Sequence, residues 1–108
     1  MTIKKLVKFT QIEIERLEKL YNTPLSSENG VLRHTVKLSE EVGELAEQVL
    51  AYISHQRKEK LNKMNRESLA QEFADVIIVT CILANAVNID IEKSLKNKIE
   101  KINKRYEK

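Results

Sequence analysis

The chain has 108 residues, 19 Lys+Arg against 16 Asp+Glu, a net charge of +3 and 42% apolar residues. That length holds one domain, and the expected unit is a single domain over 1–108. The composition is too hydrophobic for a disordered tail and, with 32% charged residues, too polar overall for a membrane protein. Two Gly and one Pro supply little turn material for a sheet, so an all-α chain is expected. The single cysteine, Cys81, excludes an internal disulfide framework and a Cys-rich zinc site. The N-terminus MTIKKLVKFTQ lacks a continuous apolar stretch and a small-residue cleavage site, so no signal peptide is expected and the cytoplasm is the default compartment.

Four helical segments are expected. In the first, Ile3, Leu6, Val7, Ile14, Leu17 and Leu20 keep helical spacing. Thr10 with Glu13 resembles a capping box, so the start lies near residue 2 or near residue 10. Asn22-Thr23-Pro24 ends it, and Ser26, Ser27, Asn29 and Gly30 extend the loop. The second segment runs from about Val31 to His55 with an apolar stripe of Leu38, Val42, Leu45, Val49 and Ile53. The charged stretch Gln56 to Lys63 reads as a loop or a frayed end.

The third segment, capped by Asn65 or Ser68, runs to about Val87 and carries no charge from Val76 to Ile89. A helix apolar on most sides needs cover on most sides, more than one such chain supplies, so self-association is expected. Asp90 caps the fourth segment, whose inner stripe is Ile91, Leu95, Ile99, Ile102 and Tyr106. The expected architecture is a four-helix bundle completed by a homodimer or tetramer.

Glu41 and Glu44 lie three apart on the second helix, and Glu72 and Asp75 repeat that spacing on the third. Glu72 and Asp75 share their side with Val79, Ile82, Leu83 and Ala86, while Glu41 sits about 60° from Leu38. Carboxylates beside a core are costly unless compensated, and four of them cannot compensate one another. A hard divalent cation with oxygen ligands resolves the conflict. Other acids such as Glu47, Glu59 and Glu67 read as ordinary surface residues.

Lys37-Leu38-Ser39-Glu40-Glu41-Val42-Gly43-Glu44-Leu45 resembles the K-L-x-E-E-x-G-E-L segment of the MazG-like all-α nucleoside triphosphate pyrophosphohydrolases. Glu72-Phe73-Ala74-Asp75-Val76 is similar to that family's E-x-x-D-V motif. Leu83 to Asp90 resembles its L-A-N-A-x-G-I-D ending with Asn88 for Gly, and Lys101 to Tyr106 its closing K…R-Y element.

The resemblance implies Glu41, Glu44, Glu72 and Asp75 as ligands of Mg²⁺, with Mn²⁺ as a substitute. It implies Glu40 as an acid that aids metal binding or orients the attacking water. The implied reaction is hydrolysis of a nucleoside triphosphate to the monophosphate and pyrophosphate. A glycine within a helix, Gly43, is expected where something approaches closely.

Lys98, Lys101 and Arg105 fall within about 60° of one another beside the fourth helix's stripe, a row suited to a triphosphate. Lys37 is a further phosphate-binding candidate. Ile102 stands where the family pattern has Asn, and the chain has no Trp, so a Trp-lined base pocket is absent. Two alternatives remain open: a phosphoribosyl-ATP pyrophosphohydrolase-like enzyme, and a helical dimerisation module that binds nucleic acid through the basic fourth helix. Nucleic acid is the less favoured partner, since the carboxylates repel phosphates unless a cation is present.

Overall fold

A computed structural model of the chain describes residues 1–58 and 63–107. It consists of four helices: α1 (Ile3–Tyr21), α2 (Glu28–Lys58), α3 (Lys63–Ala86) and α4 (Ile91–Lys104), with no strand among the described residues.

Thr2 decides where α1 begins, since its hydroxyl accepts the Lys5 amide at 3.1 Å. Thr10 is not a cap. It is buried inside the helix and donates to the Leu6 carbonyl at 2.9 Å. Asn22 ends the helix in the left-handed region at φ 52°.

The turn to α2 is drawn tight by three contacts. The Leu25 amide donates to Glu18 at 2.9 Å, the Ser27 hydroxyl to the Pro24 carbonyl at 2.6 Å, and the Gly30 amide to Ser27 Oγ at 3.1 Å. These bonds start α2 at Glu28 rather than Val31. A Cβ at Gly30 would meet the carbonyl oxygens of Pro24 and Leu25 at 2.5 Å, so this approach requires glycine.

Helix α2 continues through Gln56 to Lys58, beyond the expected end, and α3 begins at Lys63, ahead of both expected caps. Glu59 and the rest of 59–62 lie outside the described residues.

The C-terminus of α3 is a Schellman turn. Asn88 sits at φ 62°, its amide donates to Asn85 O at 3.0 Å, and the Ile89 amide donates to Ala84 O at 2.8 Å. Asn tolerates this conformation next best to Gly, which accounts for Asn88. Asp90 then caps α4, accepting the Lys93 amide at 3.0 Å.

Helices α2 and α3 form the principal packed pair, α1 lies on α3, and α4 touches only α1 and α3 among the described residues. Leu25, Ile82 and Ala86 make the core, with Ile14, Leu17, Val31 and Ile78 around them. The apolar third helix is covered on one side. Val79, Cys81, Ile82 and Ala86 are buried, whereas Phe73, Ile77 and Val87 are exposed. By length and composition its segment Arg66–Ala86 is apolar enough to cross a membrane, which the overall composition conceals. Glu72 and Asp75 interrupt that segment on the face that meets α2.

Past its first turn, α4 has little cover. Ile91 is half-buried, but Leu95, Ile99, Ile102 and Tyr106 are exposed, so the expected inner stripe faces outward in the single chain. The shape reflects this. The radius of gyration is 17.0 Å, against about 13 Å for a compact chain of this length.

Candidate metal and phosphate site

Glu41, Glu72 and Asp75 converge because α2 and α3 pack along the faces that carry them. One carboxylate oxygen from each lies within 4.8 Å of the others. Glu41 is buried, Glu72 half-buried and Asp75 exposed, so the group runs from the helix interface to solvent. Oε2 of Glu41 and Oε2 of Glu72 are sealed from solvent without a hydrogen-bond partner. Unpaired carboxylate oxygens in such a position are costly, and their donor chemistry suits a hard cation.

Desolvation raises the Glu72 carboxyl above its ordinary 4.5, and the charges of Glu44, Asp75 and Glu41 push it the same way. Glu44 is exposed and outside the close trio, yet near enough to act on Glu72. Lys37 places Nζ 3.2 Å from Glu41 Oε1. That contact, with the further charges of Glu40 and Glu44, holds the ammonium above 10.5 against desolvation. Glu40 lies exposed on the same face, where a shallow groove is lined by Leu32, Arg33, Val36, Lys37 and Glu40.

Thus the structure brings together Glu41, Glu72 and Asp75, with Lys37, Glu40 and Glu44 around them. It does not bring Lys98, Lys101 or Arg105 to this site within one chain. All three are exposed, Lys98 and Lys101 on α4 and Arg105 just past its end, and α4 makes no contact with α2 among the described residues.

His34, Tyr21 and Cys81, whose side chains could also serve a site, have structural roles. His34 is buried with Nδ1 3.1 Å from the Gly30 carbonyl, and Tyr21 lies under the Arg33 guanidinium at 4.2 Å. Burial pushes the Cys81 thiol up, leaving it an inert core group.

Gly43 has open space where a Cβ would point, so nothing in its own chain explains the glycine. It belongs to an exposed face of α2 with Leu32, Val36 and Leu50, grouped within about 40° of the helix wheel. That face went unread in the sequence, although its spacing was the available signal.

A helical chain with carboxylates drawn together at a helix interface defines an all-α protein with a candidate cation site. Residues 31–108 match the model of the MazG nucleotide pyrophosphohydrolase domain, and the chain belongs to that family. It is also 31% identical over 107 residues to the uncharacterized protein YpjD of Bacillus subtilis (strain 168), covering 94% of this chain and 86% of that one. No solved structure matches.

Proposed function

We propose that the chain is one MazG-like domain over 1–108, a cytoplasmic, Mg²⁺-dependent pyrophosphohydrolase. Its reaction cleaves nucleoside triphosphates between the α- and β-phosphates, with Mn²⁺ as a substitute ion and nucleotide-pool housecleaning as the role. The observation that carries the reading is the buried Glu41, with Oε2 unpartnered and a carboxylate oxygen within 4.8 Å of those of Glu72 and Asp75, in a chain of this family.

Glu41, Glu72 and Asp75 would hold the ion, with Glu44 completing the set from the exposed edge. When bound, Mg²⁺ would neutralise phosphate charge and lower the pKa of a water, so that hydroxide is available at neutral pH. Glu40 would orient the attacking water from the rim or accept its proton. Lys37 pins Glu41 through Oε1 and leaves Oε2 for the cation. It also offers the nearest point charge to an entering phosphate. Lys98, Lys101 and Arg105 do not reach the carboxylates within one chain; as phosphate ligands they would act only in an assembly, where they would stabilise charge on the departing pyrophosphate.

A screen of ribo- and deoxynucleoside triphosphates with Mg²⁺ or Mn²⁺ tests the reading. Monophosphate and pyrophosphate should appear in equal amounts, and Glu41→Gln, Glu44→Gln, Glu72→Gln and Asp75→Asn should each abolish release with helical content intact. Diphosphate and orthophosphate as products, or no turnover, would refute the assignment.

A further inference from the structure

A cavity of about 390 Å³ opens where α1, the end of α3 and the first turn of α4 meet. Its volume lies in the range of small-molecule sites. It is well removed from the carboxylates. Asn85, on its wall, lies about 15 Å along α3 from Asp75, and Asn85 with Cys81 sits about 130° around the helix from Glu72 and Asp75.

The lining divides by chemistry. Its most enclosed part is Val7, Thr10 and Cys81, which is largely apolar because Thr10 has given its hydroxyl proton to the Leu6 carbonyl at 2.9 Å. Toward solvent stand three side-chain amides, Gln11, Asn85 and Asn88, none of which makes a hydrogen bond among the described residues. Asn85 has no local reason to be there. It is a poor helix former in the last turn of an otherwise apolar, uncharged stretch. Glu92 also lines the cavity, as does Asp90, whose Oδ1 is spent on the Lys93 amide, and the lining holds no Lys or Arg.

An apolar floor under a rim of amides suits a flat ring with a hydrogen-bonding edge. Asn and Gln amides match the paired donor and acceptor of a nucleobase, and a carboxylate accepts from an exocyclic amino group. Carboxylates with no cation beside them repel a phosphate. We infer that this cavity is a second binding site, for a nucleoside whose base carries an amino group. Its occupant bridges α1 and α3 to the first turn of α4, the helix that leads to Lys98, Lys101 and Arg105.

Cytidine and uridine test the assignment, because they differ only on the base edge that carries the amino group. Each is titrated into the ¹⁵N-labelled chain in EDTA and followed by the amide signals in NMR spectra. Cytidine should shift Gln11, Asn85 and Asn88 saturably and bind about tenfold tighter than uridine, the contribution of one hydrogen bond to a charged group. Asn85→Leu should weaken cytidine at least tenfold, and Glu92→Ala should narrow the gap to uridine. Glu72→Gln should bind as wild type does. Cytidine should also raise the melting temperature of wild type and of Glu72→Gln alike.

No saturable shift, equal affinity for the two nucleosides, or shifts confined to the surroundings of Glu41 and Glu72 would overturn the inference. So would wild-type affinity in an Asn85→Leu variant of unchanged helicity. Should that variant not fold, Gln11→Leu on the exposed side of α1 makes the same test. The titration contains neither phosphate nor metal, so its outcome is independent of the pyrophosphohydrolase reading, and either can fail while the other stands.

Discussion

Lys37 Nζ lies 3.2 Å from Glu41 Oε1, while the other oxygen of the same carboxylate is sealed off without a partner. One carboxylate thus faces a permanent cation on one side and an unmet need for charge on the other. An exposed i,i+4 pair contributes only a few tenths of a kcal/mol, but Glu41 is buried, and removing its partner costs about 1–3 kcal/mol. Lys37→Met should therefore lower the melting temperature in EDTA. It should also gain more from saturating Mg²⁺ than wild type, because both cations neutralise Glu41. Equal gains in thermal scans of the two proteins would disprove that shared role.

Glu72 sets a pH dependence. Its folded carboxyl titrates above the ordinary 4.5, so between those values the native state holds a proton that the unfolded chain has released. The metal-free protein should lose stability as pH rises from about 4.5 through the raised value. Glu72→Gln should flatten that slope. Mg²⁺ binding should release protons in the same window and weaken as pH falls through it. Calorimetry in buffers of different ionisation enthalpy measures the released protons, and a buffer-independent heat would count against the assignment.

Gly30 tests the turn. A methyl group there meets two carbonyl oxygens at 2.5 Å, so Gly30→Ala should cost about 1–3 kcal/mol by overpacking. Ile82→Ala, in the core with Leu25 and Ala86, should cost about 2–5 kcal/mol through cavity formation. Urea unfolding read by circular dichroism compares the two, and a neutral Gly30→Ala would contradict the described turn.

Assembly and fold separate by residue. Ile82 is buried in its own chain, so a charge there should prevent folding. Ile99 is exposed, so Ile99→Asp should preserve helicity and break association. Light scattering should give at least twice the chain mass for wild type and the chain mass for Ile99→Asp. A wild-type monomer at micromolar concentration would exclude the dimer or tetramer.

The exposed basic α4 also suits nucleic acid, and Arg105 discriminates between the uses. As a phosphate ligand, Arg105→Ala should lower kcat/KM at least tenfold, about 1.4 kcal/mol, and Arg105→Lys should recover only part. In a nucleic-acid helix each lost cation would instead reduce the salt dependence of binding by roughly one counterion. Unchanged hydrolysis with lost DNA or RNA affinity would favour the second use.

Much was legible in the sequence because helices write their faces at fixed spacing. The four helices, the Asp90 cap and the placement of Glu72 and Asp75 beside Val79 and Ile82 follow from periodicity and capping chemistry. Spacing along one helix, however, says nothing about which face of the next helix it meets. Only the packing of α2 on α3 brings Glu41, 31 residues before Glu72 in the chain, within reach of it and leaves Oε2 unpartnered. Only the direction of the chain after the Asn88 turn places α4 across α3 from the carboxylates, with Lys98, Lys101 and Arg105 away from the site. Amphipathic spacing marks Leu95, Ile99 and Ile102 as a face that must be covered. The covering surface is set by where the chain turns, because burial is a property of neighbours in space.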